Sequence, residues 1–329
     1  MKKAAAFLGA AAMVLSLVSC KMTVTPKKEV VHNTEVPPKM MFLGDSVAAG
    51  YGLEGYSADD LYHCRSYANI LKEKYEAELE GECGHEMVNK AVSGATSADL
   101  LALIQSGSLD EDLIDSDAVV ISIGGNDMLE IMLNALKNMG ITENGDFKAK
   151  DIDVFSAASS LLNMDKDVDE ALVQFEKNIR TISEELSERT DGTVFVQTLY
   201  DPLESLSKFH MITDFSNEKI GKLNSMISEN SLYGYKVIDV AADFKGKSDT
   251  LTNIGKFDIH PNAEGHRQIA DDVDAAFRAA GFSYTTIEYG KKELTVYWKR
   301  AIYGGCAGLI ALTAVIIGVV VHKKKKKKD

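Results

Sequence analysis

Three observations predict an α/β fold, a parallel sheet sandwiched between helices. Five short apolar runs, at 39–43, 86–91, 118–123, 193–198 and 235–240, read as strands. Amphipathic patterns near 65–80, 97–106, 126–138, 166–189, 216–230 and 263–280 read as helices. The two kinds of segment alternate, and alternation of this sort implies crossover connections and a parallel sheet covered on both faces. The region from Lys39 to Phe282, about 245 residues, suits one such domain.

Each element has a local reason. The first strand, KMMFL, stops at Gly44-Asp45-Ser46, three residues that favour turns for backbone reasons alone. The second, EMVNKA, leads to Val92-Ser93-Gly94-Ala95-Thr96, and the third, AVVISI, runs into Gly124-Gly125-Asn126-Asp127. Residues 140–165 lack a clear period and read as an insertion over a site or as an ordinary surface loop. In the helix after Lys166, Val168, Leu172, Phe175, Ile179, Ile182 and Leu186 recur at helical spacing and form a core stripe. The strands TVFVQT and YKVIDV follow, and Asp258-Ile259-His260-Pro261-Asn262 precedes the last helix.

The ends of the chain obey other rules. Lys2 and Lys3 precede an apolar stretch from Ala4 to Val18, the layout of a secretory signal over residues 1–19. It closes on Leu17-Val18-Ser19-Cys20, which resembles a bacterial lipobox and implies lipidation of Cys20; the alternative is an ordinary signal with a chance cysteine. Residues 20–38 are polar and carry three prolines, as expected of an extended tether. Residues 283–300 alternate around Gly290 and read as a hairpin or a stalk. Ala301–Val321 is free of charge, and a transmembrane helix needs roughly 20 such residues. Tyr297, Trp298 and Tyr303 sit at one edge and the lysines 323–328 at the other, so residues 322–329 are expected in the cytoplasm and the body outside a bacterial cell membrane.

Charge excludes one class of partner. The chain has 36 basic and 49 acidic residues; setting aside Lys2, Lys3, the six lysines 323–328 and Asp329 leaves 28 against 48, a net −20 for the body. Nucleic-acid binding by a basic surface is not expected. With Cys20 and Cys306 assigned to the two end segments, Cys64 and Cys83 form a pair in an oxidising compartment, read as a disulfide or as two buried free thiols. No spacing of His, Cys, Asp or Glu suggests a metal, and none implies a cofactor.

Ligands of open parallel sheets bind beyond the carboxyl ends of the strands. The four polar blocks fall there or beside the last helix: Ser46 as a nucleophile, Gly94 and Asn126 as hydrogen-bond donors, His260 as a base. The pattern GxSxG of another hydrolase fold fits poorly, because Ala48 stands where its second glycine belongs. Asp45 and Asp127 read as acceptors that stabilise loops, and His266 as a packing or capping residue.

Together, in order, GDS, the SG after the second strand, GGND and HPN resemble the SGNH or GDSL hydrolases across residues 39–282. The resemblance implies a flavodoxin-like three-layer sandwich and metal-free hydrolysis of esters, with carbohydrate acyl esters, lysophospholipids and simple esters as substrate classes. It implies Ser46 as nucleophile, His260 as base, and an oxyanion hole from the Ser46 and Gly94 amides with the Asn126 side chain. The family's aspartate lies three residues before the histidine, where this chain has Phe257; Asp258, two before, is the expected third member, a Ser-His dyad the alternative. Two rival functions follow from other readings: a surface binding module that kept the fold without efficient catalysis, and an adhesion or assembly protein.

Overall fold

The structure, a computed structural model, describes residues 22–129, 131, 154–205, 210–256 and 258–325. Two compact units divide the chain, one spanning Asn33–Tyr284 and the other comprising the segments up to His32 and from Thr285 onward.

The larger unit holds the five-stranded sheet: β1 (Lys39–Gly44), β2 (Glu86–Asn89), β3 (Ala118–Ser122), β4 (Thr193–Gln197) and β5 (Tyr235–Ile238). The spatial order is β2-β1-β3-β4-β5, and every pairing is parallel. The order reverses between β1 and β3, which opens a crevice at their carboxyl ends. Alternate side chains of the three inner strands enter opposite cores, so β1, β3 and β4 read as nearly unbroken apolar runs, whereas the edge strands β2 and β5 carry the exposed Glu86 and Lys236. On one face Met41, Leu43, Val119, Ile121 and Val196 meet the helices Ser97–Gln105, Val154–Ser187 and His210–Asn230. On the other, Met40, Phe42, Val120, Phe195 and Ile238 meet Tyr67–Glu78 and Ala263–Ala280.

The stripe from Val168 to Leu186 is buried along its whole length. Each fully buried side chain of this type contributes about 1.5–3 kcal/mol, so the stripe pins its helix to the sheet. That helix begins at Val154, earlier than its apolar period suggests, in a stretch that contains no Pro or Gly to stop it. Of the predicted helix over 126–138, residues 125–129 and 131 are helical; the remainder, like residues 140–153, lies outside the described residues. The signal segment and Cys20 also lie outside them.

Two expectations are corrected. Residues 20–38 are more than a tether: Lys27–Thr34 pairs with Phe282–Tyr289, and Thr23–Val24 pairs antiparallel with Glu293–Leu294. The two strands flanking Gly290 therefore do not form a hairpin with each other. Cys64 and Cys83 are free thiols, not a bridge. The 12-residue helix Tyr67–Glu78 separates them, a rise of about 18 Å, whereas a disulfide needs Cα atoms within about 7 Å. Cys64 is buried with its Sγ 3.7 Å from the Ala49 carbonyl, and Cys83 is exposed in the turn beyond the helix.

In the smaller unit, Val296–Lys325 is one helix, and Val296–Lys323 is long and apolar enough to cross a membrane by length and composition.

Candidate active site

Ser46 opens a four-residue helix directly after β1. Gly44 makes this turn possible: its φ is 132°, and a Cβ there would stand 2.0 Å from the Ser122 carbonyl oxygen. The closeness lets the Asp45 amide donate to that same oxygen at 3.0 Å, tying the turn to the end of β3. Asp45 caps the helix by accepting from the Val47 amide at 3.0 Å. Burial pushes its carboxyl up to about 7, against that amide and helped by the charge of Asp127.

The turn after β2 is fastened beside Ser46, because the Val92 amide donates to the Gly44 carbonyl at 2.9 Å. Gly94 sits in this turn with φ 86°. Asn126, in the helical turn that follows β3, donates through Nδ2 to the Ala95 carbonyl at 3.0 Å and so faces the same turn. Asp127 accepts from the Ser97 amide at 2.9 Å and from the Ser97 hydroxyl, fixing the start of the helix Ser97–Gln105.

His260 arrives from the far end of the sequence on a pinned loop. Asn262 donates to the Thr250 and Thr252 carbonyls at 2.8 and 3.0 Å and accepts from the Glu264 and Gly265 amides, capping the last helix. The Asn253 amide donates to the His260 carbonyl at 2.9 Å, and Tyr200 Oη donates to the Ile259 carbonyl at 3.0 Å. His260 Nε2 then lies 2.9 Å from Ser46 Oγ. Its Nδ1 lies 2.5 Å from Asp258 Oδ1. A carboxylate oxygen can only accept, so Nδ1 carries the proton and Nε2 is free to accept from the serine hydroxyl.

The structure thus brings Ser46, His260 and Asp258 into one chain of hydrogen bonds, with Gly94 and Asn126 on the neighbouring turns. Phe257 lies outside the described residues. His266 belongs elsewhere: it is fully buried, and its Nδ1 accepts from the Tyr67 amide at 3.2 Å, capping the helix Tyr67–Glu78. Among the described residues no group of three His, Cys, Asp or Glu is placed to hold a metal.

Sequence reasoning missed the cleft beside the serine. About 860 Å³ of empty space, open to solvent, lies between Ser46, Asn126 and His260 and an apolar wall that includes Met128, Leu129, Leu199, Leu203, Ile220 and Ile259. Much of that wall comes from the exit of β4, where no polar motif marks a site; its position at a carboxyl end was the available signal.

The sequence model of the GDSL-like Lipase/Acylhydrolase family matches residues 42–268. The chain is 27% identical to the spore germination lipase LipC of Bacillus licheniformis over 241 residues, 73% of this chain and 94% of that protein. It is 23% identical to YpmR of Bacillus subtilis (strain 168) over 284 residues, 82% of this chain and 95% of that one. Among solved structures it resembles the lipase Lip_vut3 from a goat rumen metagenome, with a TM-score of 0.53 at 22% identity over 72% of this chain and 96% of that one.

Proposed function

Since the chain belongs to the GDSL-like Lipase/Acylhydrolase family, we propose that this ester hydrolase works outside the cell through an acyl-enzyme on Ser46. The observation that carries the reading is the relay from Asp258 through His260 to Ser46 at the edge of the cleft. Ser46 Oγ attacks the ester carbonyl carbon while His260 Nε2 takes its proton, and Asp258 holds the imidazole in the required tautomer. The negative oxygen that forms is held by the Ser46 and Gly94 amides and by the second N–H of Asn126 Nδ2, whose first is spent on Ala95. His260 returns the proton to the departing alkoxide, and water then releases the acid by the same steps reversed.

The apolar wall supports an aliphatic acyl chain as the group transferred to Ser46, since a cleft of this lining gains from burying methylenes and an acetyl group offers none. A signal over residues 1–19, lipidation of Cys20 and a span over 301–321 with a lysine tail inside complete the proposal, and they leave the domain of residues 39–282 facing outward.

The test is a membrane-impermeant fluorophosphonate applied to intact cells carrying the full chain, beside Ser46→Ala. Labelling of the parent alone supports both parts. Labelling only after lysis overturns the location, and no labelling under either condition overturns the activated serine.

A further inference from the structure

Resting on the catalytic reading above, we infer that Tyr51, Tyr56 and Ser93 form a shelf for the alcohol half of the ester, built for a polyhydroxylated leaving group. Direction at the reacting carbon decides what each part of the ester meets. Three groups other than Ser46 Oγ surround it: the oxyanion, the acyl chain and the departing oxygen. The departing oxygen must lie at His260 Nε2 to receive its proton as the C–O bond breaks. A solvent-facing group packed on that imidazole is therefore placed to meet the alcohol as it leaves.

That group is Tyr51. Its ring centroid lies 4.6 Å from that of His260, and 44% of the residue remains exposed. Tyr56 continues the surface, its ring 5.2 Å from Tyr51 at 67°. The Tyr56 hydroxyl meets the exposed Ser93 hydroxyl at 2.6 Å, beside Gly94. None of these residues lines the apolar cleft, so cleft and shelf leave the serine by different routes. The two routes also differ in chemistry. The cleft is aliphatic, whereas the shelf offers an aromatic face beside two hydroxyls, each with hydrogen-bonding capacity left over. An amphipathic surface of that kind matches an alcohol with an apolar C–H face and several hydroxyls, such as a glycerol or sugar unit.

The test compares octanoyl esters of methanol, glycerol and glucose with the full chain in detergent, read as the ratio of kcat/KM for each polyol ester to that for the methyl ester. The parent is expected to favour a polyol by roughly tenfold or more. Tyr51→Ala and Tyr56→Phe should each bring that ratio down several-fold, and Tyr51→Phe should keep it, because the ring stays. Which polyol leads separates a glycerol from a sugar source. Hydrolysis of all three esters with a ratio near one, or a ratio unmoved by Tyr51→Ala and Tyr56→Phe, overturns the shelf alone. Failure to cleave any ester overturns the catalytic reading, and the shelf with it.

Discussion

Asp258 reaches His260 across a single intervening residue, and one oxygen does both jobs: Oδ1 accepts from the His260 backbone amide at 3.0 Å and faces Nδ1 at 2.5 Å. An aspartate that bonds the amide two residues ahead makes a local turn, and this turn folds the carboxylate back onto the ring. Gly52 leaves room for it, since with φ 84° it approaches so closely that a Cβ would lie 3.3 Å from Asp258 Oδ2. Asp258→Asn is expected to lower kcat by roughly 10²–10⁴-fold, because the amide can stabilise the wrong tautomer. Steady-state kinetics on an aryl ester checks this. A loss under about threefold would point to a Ser-His dyad.

Asn126→Ala removes a donor to the oxyanion and also the bond to the Ala95 carbonyl. The first loss should raise the barrier by about 2.7–4 kcal/mol, seen in kcat. The second should cost about 1 kcal/mol of stability, seen in thermal unfolding. A folded variant with near-normal turnover would remove Asn126 from the oxyanion hole.

How far the chain could be read without coordinates depends on what each residue contacts. The inner strands were legible because burial on both faces demands apolar runs, as in AVVIS. Ser46, Asn126 and His260 stood out because GDS, GGND and HPN occur together and in order, although each block alone is ordinary turn chemistry. The strand Lys27–Thr34 was not, since only alternate residues are partly buried and its partner lies some 250 residues away. The disulfide expectation failed although the helix near 65–80 was itself legible: compartment and residue count set no distance, and the rise of that helix holds Cys64 and Cys83 apart. Leu199, Leu203 and Ile220 look like core in the sequence, and only the fold opens a cleft in front of them.

Ile220 belongs to the helix His210–Asn230 and lines the cleft. Ile220→Trp should fill space that an acyl chain needs, so the preferred chain length is expected to shorten. Comparing aryl esters from acetyl to decanoyl, the ratio of kcat/KM for long over short chains should fall roughly tenfold or more. An unchanged chain-length profile would place the acyl chain elsewhere.

Asp45 predicts a stability change with pH whose sign is unusual for a carboxylate. Its folded value is pushed up to about 7 by burial, from an ordinary value near 3.8. Between those values the folded chain holds a proton that the unfolded chain has released, so stability falls as pH rises through that window. His266 acts in the opposite sense. Burial, with His260 nearby, pushes it down to about 3, and its contribution to stability is lost as pH falls from about 6.5. Asp45→Asn keeps an oxygen for the Val47 amide and removes the charge, while His266 and the other titrating groups remain in both chains. The melting temperature of the variant minus that of the parent should therefore be smallest near about pH 4 and grow toward about pH 8. Thermal unfolding of both full chains in detergent across that range measures it. A difference that does not grow would show that the folded chain carries Asp45 ionised, with its charge held beside Ser46 throughout.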